Sequence, residues 1–292
     1  MFSLPTRRLL ATAALLGFAG ASYAAQPLKL DVYNPGEEGI FPVSSVLVTG
    51  EKDAVLVDAQ FSSSDAGKVV EKIRKSGKNL TTIYVSHGDP DYYFGLQTLT
   101  AAYPKAKVVA SAQTVAHINE TKDAKLQYWG PKLGAAAPSK LIVPQVLEGN
   151  ELTLEGQKLQ VIGLDGPQPD RSFVWIPSVK AVVGGVVLSS NIHVWMADTQ
   201  SAKSHQDWLA TLATIEKLKP SIVVPGHFLP GELKAEQSPA FTAAYIKTFD
   251  AETAKAKDSA ALIKAMKAHY PKLADESSLE LSAKVAKGEM KW

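Results

Sequence analysis

The chain has 292 residues, with 31 Lys and Arg against 29 Asp and Glu and no cysteine. A charge this close to balance argues against a general nucleic-acid or membrane-surface role. The lack of cysteine excludes both a disulfide framework and a thiolate metal site.

Residues 1–24 read as a secretory signal peptide. Arg7 and Arg8 are its basic start, and Leu9 to Ala21 is an apolar stretch too short to span a bilayer. Ser22 and Ala24 place small residues before a cut after Ala24. Arg7-Arg8 also loosely resembles a twin-arginine signal. Removing the leader takes away two arginines, which levels the basic residues with the 29 acidic ones. No later stretch is apolar for long enough to cross a membrane, so the mature protein is expected to be soluble and exported, most simply to a bacterial periplasm.

Leu28–Val32 alternates as a strand. Val43–Thr49 and Ala54–Asp58 flank a Gly50-Glu51-Lys52-Asp53 turn and read as a hairpin. Ser62–Lys75 is an amphipathic helix with Ala66, Val69, Val70 and Ile73 on one face. A strand ending near Val85 follows, then a helix from Phe94 to about Ala102. Lys107–Ala110 is a strand, and Ser111 caps a helix containing His117. Ala124–Ser139 reads as an irregular loop, with Tyr128 and Trp129 forming a lid or substrate wall, or Trp129 pinning the loop to the core. Glu151–Leu154, Lys158–Ile162, Phe173–Ile176 and Ala181–Val183 are strands. Ser201–Leu218 is an amphipathic helix, and Ile222–Val224 is a last core strand. Strands, helix and strand twice over predict an αββα sandwich of two mixed β sheets with helices on both outer faces. This domain is assigned to residues 25–232. Residues 233–292 form a helical extension with Pro239 at a helix start. It packs on the sandwich or on a second copy of the chain. His117, His205 and His269 read as surface or packing residues.

The informative stretch is Thr81 to Gly95. A β-branched and aromatic strand breaks into His87, Gly88, Asp89, Pro90 and Asp91. An imidazole and two carboxylates at alternate positions past a strand end can converge on a cation. The alternative is an acidic turn that caps the next helix, with Asp91 as N-cap. His227 leaves a second strand behind Pro225-Gly226, so its ring can reach inward from that strand end.

These residues resemble the H-x-H-x-D-H signature of the metallo-β-lactamase superfamily. His87, Asp91 and Gly95 match it, whereas Asp89 and Tyr92 stand at positions of histidine. The resemblance extends over most of residues 28–232, including the closing Pro225-Gly226-His227. It implies the same fold and a hydrolase or a relative of one, and it is strongest to exported, uncharacterised hydrolase-like proteins. It gives Asp58 a supporting role beneath the metal loop, with a helix-capping or turn acid as the alternative. It places Asp165 near a further ligand position with Asp170 in the same turn, and leaves Gly185 where a metal-bridging Asp commonly stands. His193 resembles a histidine that some members carry over the pocket, with burial in a packed pair as the alternative. The implied ligand set is His87, Asp89, Asp91, Asp165 and His227. It would hold one divalent metal, zinc in the first place, with manganese and iron also compatible. Asp91 would orient a water, and Tyr92 or His193 would donate to an oxyanion. The substrate would be a small ester, lactone or amide. The other reading is a non-catalytic ligand-binding protein with a degenerate metal site.

Overall fold

The computed structural model describes residues 26–229, 231, 234 and 237–292. The signal peptide expected over residues 1–24 lies outside the described residues. Among the described residues no helix is long and apolar enough to cross a membrane.

The first half contains β1 (Lys29–Tyr33), β2 (Ser45–Thr49), β3 (Asp53–Val57), α1 (Ser63–Ser76), β4 (Asn79–Val85), α2 (Pro90–Tyr93), α3 (Leu96–Ala102), β5 (Lys107–Ala110), α4 (Ala112–Leu133) and β6 (Gln145–Val146). Its six strands form one sheet in the order of the chain. β1, β2 and β3 pair antiparallel, and β3 to β6 pair parallel. The second half contains β7 (Glu151–Leu154), β8 (Gln157–Ile162), β9 (Phe173–Ile176), β10 (Ala181–Val183), β11 (Ser189–Ser190), α5 (Ala202–Leu218), β12 (Ile222–Val223) and β13 (His227–Phe228). β7, β8, β9, β10 and β12 make a second sheet, ordered β12-β10-β9-β8-β7, and β11 pairs with β13 beside it.

Strand alternation builds the layers. Leu47, Leu56, Ile83 and Val85 face one way, onto Val69 and Ile73 of α1 and Leu96 and Leu99 of α3. Val46, Val48, Val55, Val57 and Tyr84 face the other way, onto Leu154, Leu159, Val161 and Val174 of the second sheet. The far side of that sheet offers Phe173 and Val182 to Trp208, Leu212 and Ile215 of α5. A period of two sends alternate side chains to opposite faces, so each sheet buries both. The result is the αββα sandwich expected from the sequence. The C-terminal helices α6 (Gln237–Lys255), α7 (Ser259–His269) and α8 (Glu276–Ala286) add Tyr245, Phe249, Met266 and Leu279 to the same core as α5.

One expected loop is a helix. α4 continues through Tyr128, Trp129 and Pro131 to Leu133. A proline removes one helical hydrogen bond and presses on the carbonyl four residues back, but here it sits in the last turn, where little helix remains to disrupt. Trp129 packs edge-on against Phe41 and Phe61, with ring centroids 5.1 and 5.5 Å apart. That packing holds the end of α4 to the sandwich.

Candidate active site

The parallel strands β3 and β4 end side by side, and the chain turns there at Asp58 and at Ser86-His87. Asp58 is buried and adopts a left-handed φ of 67°. Its Oδ1 accepts from the Ser86 amide and its Oδ2 from the Ser86 hydroxyl, both at 2.7 Å. The Ser86 hydroxyl in turn accepts from the Gly185 amide at 2.7 Å. Asp58 therefore ties the first-half loop to the second-half loop. Burial pushes its carboxyl up to about 7 against the pull of the two Ser86 hydrogen bonds.

His87 is buried with both ring nitrogens engaged. Nδ1 lies 3.1 Å from the carbonyl of Asp170, and Nε2 lies 3.0 Å from Oδ2 of Asp89. Both partners are acceptors, so each nitrogen is a donor. Burial alone would lower the pKa of the ring, but the charge and hydrogen bond of Asp89 outweigh it and raise it. Oδ1 of Asp89 accepts from the ammonium group of Lys125 on α4. Burial would raise the Asp89 carboxyl, yet His87 and Lys125 hold it well below the usual carboxylate range.

A second constellation stands beside the first. The hydroxyl of Tyr92 lies 3.2 Å from Nδ1 of His227, whose Nε2 lies 2.7 Å from Oδ2 of Asp91. The Tyr92 hydroxyl donates to Nδ1, which leaves the Nε2–H to donate to Asp91. The other oxygen of Asp91 has no protein donor among the described residues. Tyr92 is fully buried, and burial followed by the charge of Asp91 raises its pKa well above the usual value. Its hydroxyl sits against Gly226, where an added Cβ would lie 2.7 Å from that oxygen and 2.2 Å from the Gly185 carbonyl. Tyr92 thus fixes the His227 ring and does not line the cavity, which corrects its expected role as an oxyanion donor. Its phenol is packed away behind the imidazole.

Asp89, Asp91, Lys125, His193 and His227 line a cavity of about 480 Å³. His193 is buried in its wall, with Nδ1 3.0 Å from the Tyr245 hydroxyl, and burial lowers its pKa. Five aromatic side chains in the wall form a closed ring of contacts. Phe41, Trp129, Tyr128, Trp292 and Trp195 follow one another with centroids 5.1, 4.9, 5.9, 5.1 and 6.2 Å apart, the last distance returning to Phe41. Asp198 joins two of them, its Oδ1 accepting from the Trp292 indole at 2.6 Å and its Oδ2 from the Trp195 indole at 2.7 Å.

The structure brings His87, Asp89, Asp91 and His227 to one end of the sandwich but not Asp165, which is exposed and outside the cavity wall. The loop from Gly163 instead meets His87 through the Asp170 carbonyl and continues into Arg171. That residue is buried, with its guanidinium 4.5 Å from the Trp208 ring centroid. Neither Lys125 nor Trp292 was singled out in the sequence. Lys125 is one of many helical lysines, and Trp292 is joined to the cavity only by tertiary contacts.

Among the described residues no three His, Cys, Asp or Glu side chains form a group able to hold a metal. The donor set explains why. His87 presents N–H groups, both oxygens of Asp89 are taken by cationic donors, and His227 is engaged at both nitrogens. Gly185 cannot regain a bridging carboxylate without moving the chain. Its φ is +80°, and a Cβ there would lie 2.3 Å from the Ser172 carbonyl. The expected single divalent metal does not fit this arrangement.

A family model described as the metallo-beta-lactamase superfamily matches residues 39–227. Among curated proteins, the uncharacterized protein YobT of Bacillus subtilis (strain 168) is 35% identical over 72 residues, or 25% of this chain and 30% of YobT. The chain thus matches less than a third of that relative's length. A metallo-beta-lactamase family protein from Thermus thermophilus has a similar structure, with a TM-score of 0.62 and 16% identity over 88% of this chain and 91% of that one. DIM-1 metallo-beta-lactamase gives 0.54 and 20% over 77% of this chain and 99% of its own. The metallo-beta-lactamase from Pontibacter korlensis gives 0.54 and 18% over 75% and 93%. At these identities the likeness is one of fold.

Proposed function

The chain belongs to the metallo-beta-lactamase superfamily, and on that premise we propose that it is an exported, periplasmic hydrolase of a small ester, lactone or amide. The observation that carries this reading is the Asp91–His227 pair at the cavity, held from behind by Tyr92. Asp91 is the base. One of its oxygens is fixed by His227 and the other is left to take a proton from water, which then attacks the carbonyl carbon. As the tetrahedral intermediate collapses, the bond to the leaving oxygen or nitrogen breaks and Asp91 returns the proton to that atom. Lys125 and His193 line the same cavity and are the donors available to the oxyanion that develops. The aromatic ring takes the apolar body of the substrate and keeps water from its far side.

The superfamily generally binds divalent metals, but no step here passes through one, because the donor set does not fit a metal. A panel of aryl esters, lactones and amides tests the proposal, run on wild type and on Asp91→Asn with and without chelator. Turnover that Asp91→Asn abolishes supports it.

One observation favours a second reading, in which the protein binds a ligand without turning it over. Lys125 neutralises Asp89 inside the cavity, as a retired metal site would require. Saturable binding of panel compounds with no product from any of them would select it.

A further inference from the structure

We propose that Lys125 is the resident cation of this site. Its ammonium group supplies in the protein itself the positive charge that a metal supplies in this fold, and removing that charge makes the site a metal binder.

The cavity needs a cation. Asp89, Asp91, Glu120, Asp198 and Asp275 all line it, and among the described residues Lys125 is the single Lys or Arg in its lining. Carboxylates that face one cavity stay ionised more readily with a positive charge among them; without one, a member would take up a proton instead. Lys125 delivers that charge from the fourth turn of α4, a helix anchored at its end by Trp129. The ammonium contacts Oδ1 of Asp89 while Oδ2 is held by Nε2 of His87. Asp89 stands where the sequence pattern of the fold would place a ligand, yet its two oxygens are spent on protein donors. The arrangement is built, because Lys125 is only 21% exposed and Asp89 18%. A lysine that merely crossed the surface would leave both groups in water.

The same contact explains the other departures. With a fixed ammonium in place, a bridging carboxylate from position 185 has nothing to bridge, and glycine is free to bring its backbone against Ser172. A histidine at position 92 would have no metal to meet, and tyrosine instead holds His227 on Asp91.

The inference is independent of whether the cavity catalyses or only binds, because its readout is metal stoichiometry and not turnover. The experiment compares mature wild type, Lys125→Met and Lys125→Arg. Zinc content is measured after purification without chelator, and zinc affinity by competition with a chelating indicator. Methionine keeps the length of the side chain and removes its charge, whereas arginine keeps the charge. The expected result is wild type and Lys125→Arg without stoichiometric zinc, and Lys125→Met binding zinc at least about tenfold more tightly. Adding His87→Ala to Lys125→Met should abolish that gain. Lys125→Gln serves in place of Lys125→Met if the latter does not fold. Wild type that retains one zinc per chain and loses it in His87→Ala overturns the proposal. So does an uncharged variant that folds and binds zinc no better than wild type.

Discussion

The last residue of the chain, Trp292, donates its indole N–H to Asp198 at 2.6 Å, and Asp198 lies 94 positions earlier. The contact closes the aromatic ring around the cavity, because Trp292 touches both Trp195 and Tyr128. Trp292→Ala opens that ring while removing a side chain that is 40% exposed. An edge-to-face aromatic contact contributes about 0.5–1.5 kcal/mol beyond its area. The expected outcome is a KM raised roughly three- to tenfold with kcat nearly unchanged. The melting temperature should move little. Steady-state kinetics on the best compound of the panel checks it, and a fall in kcat alone would count against a wall role.

Asp91→Asn keeps an acceptor for the Nε2–H of His227 and loses the base. General base catalysis is worth about 10²–10⁴-fold, so kcat should fall by that factor while circular dichroism and melting temperature stay close to wild type. A variant that retains full turnover would remove Asp91 from the mechanism.

Asp58 gives stability a pH dependence of known sign. Its folded carboxyl holds a proton up to about pH 7, whereas an unfolded one releases it at about 3.9. The folded state binds the proton more tightly, so this contribution is fully present below about pH 4 and is lost as pH rises through about 7. The loss is at most about 4 kcal/mol. Asp58→Asn cannot titrate, so the difference in urea midpoint between wild type and variant should shift in favour of the variant from pH 4 to pH 8. Parallel pH curves would show that Asp58 does not titrate in this window.

Gly185→Asp tests the backbone reading at the lost bridging position. The substitution should not restore a metal site. A left-handed φ and a Cβ pressed on the Ser172 carbonyl should destabilise the fold by about 2 kcal/mol or more. Chemical denaturation and zinc analysis of the same sample decide it. A stable variant that gains a metal would show that the loop adapts.

His205→Ala should separate stability from function. The ring spans Asp250 at 2.6 Å and the Thr199 carbonyl at 2.5 Å, joining α6 to the loop before α5. Its loss leaves the buried carbonyl without a donor and should cost about 1–3 kcal/mol. The kinetic constants of the folded fraction should be unchanged.

The layers of the fold were legible because they follow from strand alternation and helix periodicity, which are local. The convergence of His87, Asp91 and His227 was legible because His87 lies just past the end of β4, Asp91 sits in the short α2 that follows, and His227 opens β13 shortly after β12. Asp165 was misplaced because Gly166, Pro167 and Pro169 erase periodicity in its loop, so register could not be counted through it. α4 was cut short because Pro131 and the glycine and alanines after it read as a break, although a helix tolerates proline in its last turn. Lys125 and Trp292 carry no local signal at all. Their roles exist only once α4 and the C-terminus are folded against the cavity.

The aromatic ring also makes the molecule an optical instrument. Three of its five tryptophans, Trp129, Trp195 and Trp292, stand in that ring, and two of the three have their indole N–H held by one carboxylate. Indole emission responds to the polarity around the ring and to nearby charge. Whatever enters the cavity must displace water from these indoles, and anything that moves Asp198 changes two of them together. Emission from unlabelled protein is thereby coupled to occupancy, so compounds can be screened for entry before any product is known.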